Sequence, residues 1–337
     1  MQVGIVGASG YTGVELLRLC TGHPDLEVRL ATADTSAGEL AASVYPSVAA
    51  SYPDLRFQEY EPAAAEGLDL VFLALPHGAS QAIVPDLRKR VPHLVDLAAD
   101  FRLHDASLYP EWYGEEHTCP ELLAEFAFGI PELFRDALRG APLIAAAGCY
   151  VTAAALALAP LVRAGAIDPG DVIVDAASGV SGAGRGLKHT TSFGTVNEDF
   201  VAYGLLDHRH TPEIEQATGA RVLFTPHLAP MTRGILATCY ARPVAPLDTA
   251  AVLALLRDAY CDEPFVVVGE APPSTKATLG SNCAHLTARV DPRTGRVLVI
   301  SALDNLTKGA SGQAMQCANL ALGLPETAGL PRTGLYP

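Results

Sequence analysis

A chain of 337 residues with 49% apolar and 18% charged side chains carries core material for about two domains and too little charge for a disordered chain. Its 37 acidic against 23 basic residues leave a net charge of −14, which opposes a phosphate backbone and excludes nucleic acid as a partner. No apolar run approaches the roughly 18 residues of a membrane span, and the opening MQVGIVGASG has neither the basic region nor the long apolar stretch of a signal peptide, so a cytoplasmic protein with no membrane partner is expected.

In chain order, Gln2 to Val6 reads as a short buried strand, and Val14 to Cys20 places Val, Leu, Leu and Leu at helical spacing. Between them lies Gly7-Ala8-Ser9-Gly10-Tyr11-Thr12-Gly13. Further apolar strands are expected at Val28 to Thr32, Leu68 to Leu75, Leu94 to Ala98 and Leu143 to Ala147. Near-continuous apolar runs of this kind suit a parallel sheet buried on both faces. The stretch Pro110 to Pro131 shows no sustained period and reads as excursion loops with short helices.

After Cys149 an apolar helix runs to about Ala164, and a strand from Val172 to Ala176 opens onto a second glycine-rich loop, Ser178 to Gly186. His285 to Val290 and Val297 to Ala302 flank Asp291-Pro292-Arg293-Thr294-Gly295 as a hairpin, so this half holds an antiparallel or mixed sheet. Gln313 to Leu322 reads as a terminal helix that packs back on the first domain, followed by a proline-rich extended tail. The expected architecture is α/β: a Rossmann dinucleotide-binding domain from residues 1–148 and 309–337, and an α/β catalytic and oligomerisation domain, 149–308, with a mixed, largely antiparallel sheet.

Glycines 7, 10 and 13 stand between the first strand and the first helix, where backbone amides and the positive helix end receive a dinucleotide's pyrophosphate and only glycine permits the close approach. Ser9 and Thr12 add hydroxyls at the same turn, Tyr11 lies between them, Thr32 ends the second strand and Asp34 lies just past it. That is the zone that meets the adenine ribose. A glycine-rich turn without a ligand is the bland alternative.

Seven cysteines lie far apart without a CxxC pair, so neither a disulfide framework nor a metal site is expected. Cys20, Cys239, Cys261 and Cys317 read as small buried hydrophobes. Cys149 differs, because it follows an apolar strand and Gly148 and opens a helix, where the macrodipole favours the thiolate. Thiol chemistry needs an acid/base, and His208-Arg209-His210-Thr211-Pro212-Glu213 offers two imidazoles in a loop before a proline-started helix, with His227 a third candidate. Spacing alone does not choose among them.

Together with Ala74-Leu75-Pro76-His77-Gly78, Ala99-Asp100-Phe101-Arg102-Leu103, Gly148-Cys149-Tyr150-Val151-Thr152, Ser178-Gly179-Val180-Ser181-Gly182-Ala183-Gly184-Arg185, Arg233-Gly234-Ile235 and Asp304-Asn305-Leu306-Thr307-Lys308-Gly309, these motifs run nearly end to end. In that order they resemble the N-acetyl-gamma-glutamyl-phosphate reductase family of arginine biosynthesis, relatives of aspartate-semialdehyde dehydrogenase. The resemblance implies NADPH-dependent reduction of an acyl phosphate through a cysteine thioester, with Cys149 as nucleophile and His210 as acid/base. It also implies a homodimer or homotetramer. Cofactor contacts at Ser178, Gly179 and Asn305 are expected, and substrate contacts at His77, Arg102, Ser181, Arg185, His208 and Arg233. Asn305 and Lys308 read equally as part of a solvated loop.

Two positions depart from the family pattern. Ala147 stands where the family usually has proline, as in lysine-pathway relatives that reduce a carrier-protein-linked aminoadipyl phosphate. The Ser178 to Arg185 loop favours acetylglutamyl phosphate over that carrier-linked substrate. Asp34 stands where many members place an arginine for the 2′-phosphate, so NAD remains open beside NADP. Two other classes compete: a thiol hydrolase or acyltransferase, against which the glycine turn argues, and an NAD(P)-sensing binding protein, which has no use for a nucleophilic thiol.

Overall fold

The apolar runs of the first half become the strands β1 (Gln2–Val6), β2 (Glu27–Thr32), β3 (Leu70–Leu73), β4 (His93–Asp96), β5 (Ala127–Gly129) and β6 (Leu143–Ala146) in the computed structural model, which describes residues 1–337. They form one sheet in the order β2-β1-β3-β4-β6-β5, with every pairing parallel. Ile5, Val71, Phe72, Leu73, Leu94 and Ile144 are fully buried, because a parallel sheet is covered on both faces, and this is why these strands read as continuous apolar runs. The edge strand β5 falls inside the stretch expected to be loops and short helices. Three residues are too few to show a period, and Gly129 lets the strand lie close: a Cβ there would sit 2.9 Å from Ala146 Cα.

This unit comprises Met1–Ala147 and Ala310–Leu330. Its last helix, Gly312–Ala321, returns to pack on the helix Pro131–Leu138 and on β4 and β6, as the sequence suggests. Polar ties fix the return: Gln316 Nε2 donates to Glu132 Oε1 at 3.0 Å and Glu326 Oε1 at 2.8 Å, and Asn319 Oδ1 pairs with His23 Nε2 at 2.9 Å.

The second unit comprises Gly148–Gly309 and Pro331–Pro337. The division therefore differs from the sequence expectation at Gly148, at Gly309 and in the tail. Residues 331–337 join the second unit because Asn282 N donates to Pro331 O and Leu335 N to Leu279 O, each at 2.8 Å. A proline-rich segment has few amides to offer, so these two contacts, invisible to pattern reading, settle where it lies.

Its strands are β7 (Ile167–Gly179), β8 (Val201–Ala202), β9 (Val222–Ala229), β10 (Ile235–Pro243), β11 (Val266–Val268), β12 (Ala284–Val290) and β13 (Val297–Leu303). The order is β11-β12-β13-β10-β7-β9-β8. Only β7 with β9 and β11 with β12 are parallel. The β12–β13 hairpin turns where expected, with Gly295 at φ +71° and its amide on Asp291 O. Along β10, Ile235, Ala237, Cys239 and Ala241 are buried while Leu236, Thr238 and Tyr240 stay partly exposed, the period-two signature of a strand with one covered face. The helix Cys149–Arg163 packs against β7, β10 and β13. Every side chain from Tyr150 to Leu161 is buried, so it is apolar all round rather than amphipathic. No helix is long and apolar enough to cross a membrane.

Candidate active site

At the carboxyl end of β1 the chain turns through Gly7, at φ +87°, into the helix Tyr11–Thr21. A Cβ on Gly7 would lie 2.4 Å from Ala74 O, and one on Gly13 would lie 2.4 Å from Gly7 O and 2.5 Å from Ala8 Cα. Both positions require glycine. Gly10 is the N-cap and offers no side chain, so the first-turn amides of Tyr11, Thr12 and Gly13 remain for a ligand. A helix start stripped of side chains in this way fits a pyrophosphate.

Thr32 is buried behind this turn, its Oγ1 accepting from Gly7 N at 3.4 Å and its carbonyl accepting from Ala8 N at 2.7 Å. The threonine expected to contact the cofactor thus holds the loop from beneath. Tyr45 Oη ties down the loop's other side by donating to Ser9 O at 2.7 Å. Asp34 lies exposed just past β2, whereas Ser36 is buried.

His77 and Arg102 belong to the first unit. His77 Nδ1 meets Asp100 Oδ1 at 2.6 Å and Nε2 approaches Glu115 at 3.5 Å. Asp100 also accepts from Gly78 N at 2.7 Å and Gln81 N at 3.1 Å, capping the helix Ala79–Leu87, whose own N-cap is a glycine. Burial pushes the Asp100 carboxyl up, but His77 and the two amides outweigh it and hold the group below its usual range. For Asp96, burial and then the charge of Asp100 push the carboxyl up to about 7. Arg102 is buried and donates to Leu97 O at 2.7 Å.

The partly exposed Cys149 opens its helix after the N-cap Gly148. Thr152 holds that first turn, N and Oγ1 both donating to Gly148 O. Gly309 lies against the nucleophile candidate: a Cβ there would be 2.7 Å from Cys149 Cβ. The helix His210–Thr218 begins two residues before Pro212, because proline is tolerated in a first turn, so His210 is helical rather than in the expected loop. This helix packs on the cysteine helix, and Glu213 Oε2 accepts from Gly148 N at 3.3 Å. Both helix starts therefore meet.

Tyr150 joins them: its ring lies 5.7 Å from His208, 5.9 Å from His210 and 5.3 Å from Phe224. Its hydroxyl accepts from Tyr203 Oη at 3.1 Å and donates to His227 O at 2.9 Å. Burial, then Tyr203, raise the Tyr150 phenol well above its usual range. His208 stands 4.8 Å from His210, and burial followed by the Arg209 charge push it down to about 4. The ring of His227 is stacked on Phe200 at 5.2 Å.

The second glycine loop follows β7 as a short 3-10 turn, Val180–Ala183. Gly179 passes so close to the chain at residues 232–233 that a Cβ would lie 2.7 Å from Arg233 N. Asn305 donates to Ser181 Oγ at 2.9 Å and accepts from Gly234 N at 2.7 Å. Ser178 is buried and Arg185 exposed. Asn305 is 2% exposed and Lys308 0%, which excludes a solvated surface loop: Lys308 Nζ lies 5.8 Å over the Phe265 ring. Arg233 is held by Asp304, 2.9 Å from NH2 to Oδ1, and by Thr307, so much of its guanidinium serves the fold.

Of the cysteines expected to be buried, Cys20, Cys239 and Cys317 are, and burial pushes Cys20 and Cys239 up to about 12. Cys261 is exposed instead, because it follows the last turn of the helix Thr249–Ala259 rather than lying on its buried face. Glu213, Gly309, Tyr150, Asp100 and Asp304 were not singled out by sequence as site residues. Each stands in a quoted motif, yet only long-range pairing reveals what it touches.

Residues 2–141 match the family described as semialdehyde dehydrogenase, NAD binding domain, and residues 149–305 the one described as semialdehyde dehydrogenase, dimerisation domain. The chain is 50% identical, over 100% of its own length, to N-acetyl-gamma-glutamyl-phosphate reductases of Desulforudis audaxviator and Symbiobacterium thermophilum, covering 100% and 99% of them. Among solved structures, aspartate semialdehyde dehydrogenase II of Vibrio cholerae superposes with a TM-score of 0.72 at 17% identity, over 96% of this chain and 98% of that one, and supports the fold. With both domains matched and half of all residues shared over the full length, the chain belongs to the N-acetyl-gamma-glutamyl-phosphate reductases of the semialdehyde dehydrogenase superfamily.

Proposed function

We propose that the protein reduces N-acetyl-gamma-glutamyl phosphate to N-acetylglutamate semialdehyde and phosphate through a thioester on Cys149. The observation that carries this reading is the meeting of two helix starts, one bearing Cys149 and the other His210, tied by Glu213 on Gly148. Cys149 Sγ attacks the acyl carbonyl carbon; the carbon–oxygen bond to phosphate breaks, and phosphate leaves with the electron pair. When bound, the reduced nicotinamide supplies the hydride that converts the thioester to a thiohemiacetal. His210 gives a proton to the developing oxyanion and takes it back as the carbon–sulfur bond breaks, releasing aldehyde and thiolate.

His210 is preferred to its neighbours on physical grounds. At about 4, His208 is neutral near pH 7 and a poor proton donor, while the His227 ring is engaged with Phe200. Ser178 and Ser181 suit the leaving phosphate, the Gly179 amide being engaged with Gly234 O, and the exposed Arg185 suits a substrate carboxylate. Arg233 positions this loop through its own backbone and Asp304. Gly7, Ser9, Gly10, Tyr11, Thr12 and Gly13 hold the dinucleotide. The second unit supports assembly into a homodimer or homotetramer.

We take NADPH as the donor, as the reductive role favours. Asp34 stands where a carboxylate accepts a ribose 2′-hydroxyl and repels a 2′-phosphate, but it is exposed and free to turn to solvent. The exposed Thr35 hydroxyl remains for the phosphate, whereas Ser36 is buried. Asp34→Arg is expected to tighten NADPH by about 1–3 kcal/mol, through a charge-assisted contact and relief of repulsion. Titration of protein fluorescence measures this, and an unchanged Kd would place residue 34 away from the ribose. The reaction itself is tested in reverse, as phosphate-dependent reduction of NADP or NAD. N-acetylglutamate semialdehyde should turn over, and a preference for carrier-linked aminoadipate semialdehyde would reassign the substrate.

A further inference from the structure

Residues 331–337 form neither helix nor strand, yet they lie close along residues 277–283. Pro331 O accepts from Asn282 N and Leu335 N donates to Leu279 O, each at 2.8 Å, and Cys283 Sγ lies 3.3 Å from Arg332 O. Gly334 permits the fit, since a Cβ there would sit 2.1 Å from Ala277 O. Leu335 closes over Gly280, where a Cβ would lie 3.1 Å from Leu335 Cδ1. What lies beneath leads toward Cys149's surroundings: Gly280 N donates to Asp304 Oδ2 at 2.7 Å, and Oδ1 of the fully buried Asp304 accepts from Arg233 NH2 at 2.9 Å. The chain beside Arg233 carries the second glycine loop, with Val180 N donating to Met231 O at 2.9 Å and Ser181 N to Thr232 O at 3.1 Å. Thr275, opening the short helix Thr275–Thr278, fills the space beside Gly234, where a Cβ would lie 2.7 Å from Thr275 Cβ. Residues 275–283 are thus the wall on which residues 231–234 rest.

We propose that residues 331–337 are a positioning strap for the phosphate-binding loop: docked on residues 277–283, they keep the Gly280 amide on Asp304 and so hold Arg233 and the Ser178–Ser181 turn in place. This rests on the reading of Ser178 and Ser181 as the cradle of the leaving phosphate. Leu335 and Tyr336 are mostly exposed, so few contacts hold the strap, and a segment of that kind opens without global unfolding.

Gly334→Ala lifts the strap by its clash with Ala277 O, and Leu335→Pro removes the amide that bonds Leu279 O; neither alters a reacting residue. Both are expected to raise KM for inorganic phosphate in the reverse reaction by about tenfold, the scale of one weakened hydrogen bond to a charged group, while the dinucleotide Kd and the rate of Cys149 alkylation change by less than about threefold. Hydrogen exchange should find the Gly280 and Asn282 amides slow in wild type and faster in both variants. A normal KM for phosphate in both variants would overturn the proposal, as would an equal loss of dinucleotide affinity, which marks a general loosening. So would a freely exchanging Leu335 amide in the wild type, a readout that holds even if neither variant folds. If Ser181→Ala leaves KM for phosphate unchanged, the reading of the cradle fails and the strap's role with it; if Ser181→Ala raises that KM while Gly334→Ala and Leu335→Pro do not, only the present inference fails.

Discussion

Cys149→Ser folds, binds the dinucleotide and turns over at less than about a tenth of the wild-type rate, while Cys239→Ser and Cys317→Ser remain active. The expectation follows from chemistry and place together. A serine hydroxyl is hardly ionised near neutral pH, whereas a thiol gives an appreciable thiolate fraction that is intrinsically nucleophilic. Cys149 is partly exposed at a helix start, while Cys239 and Cys317 are buried and burial pushes Cys239 up to about 12. Steady-state rates of the three variants, with dinucleotide affinity as the folding control, check this. A Cys149→Ser enzyme with substantial turnover would remove the thioester from the mechanism.

The second large effect is at His210. His210→Asn should lower kcat by about 10² to 10⁴, the range for a lost general acid/base, with little change in dinucleotide affinity. Asparagine keeps a polar side chain beside Tyr150 and so limits the packing loss. His227→Asn should do much less, since that ring packs on Phe200 and its carbonyl, not its imidazole, receives the Tyr150 hydroxyl. The comparison is diagnostic because both histidines sit in the second unit and neither change touches the glycine turn. If His227→Asn were the costlier, the acid/base would lie on β9.

Much of the fold was legible because its signals are local. The β1 strand, the Gly7 to Gly13 turn and the following helix announce themselves by an apolar run, three spaced glycines and apolar residues at helical spacing, and the structure shows why two of those glycines are required. Cys149 was legible too, as the residue after a glycine at the end of an apolar strand. What stayed hidden depends on partners far along the chain. Asp100 caps a helix that begins some twenty residues earlier, and Asp304 holds Arg233 across about seventy residues. Glu213 reads as an ordinary first-turn acid until Gly148 is seen above it. The burial of Asn305 and Lys308 was equally unreadable, because polar residues in a glycine-ended loop look like surface until Ser181, Gly234 and Phe265 are found around them.

The central claim is a covalent acyl group on Cys149, and the direct measurement is a single-turnover reaction without dinucleotide. N-acetyl-gamma-glutamyl phosphate is mixed with the enzyme, and released phosphate and intact protein mass are followed together. The account predicts a burst of about one phosphate per chain, an added N-acetylglutamyl group mapped by digestion to Cys149, and loss of both in Cys149→Ser. NADPH added afterwards should discharge that group as the semialdehyde. Unmodified protein with no burst, or an acyl group carried on another residue that NADPH discharges, would contradict it.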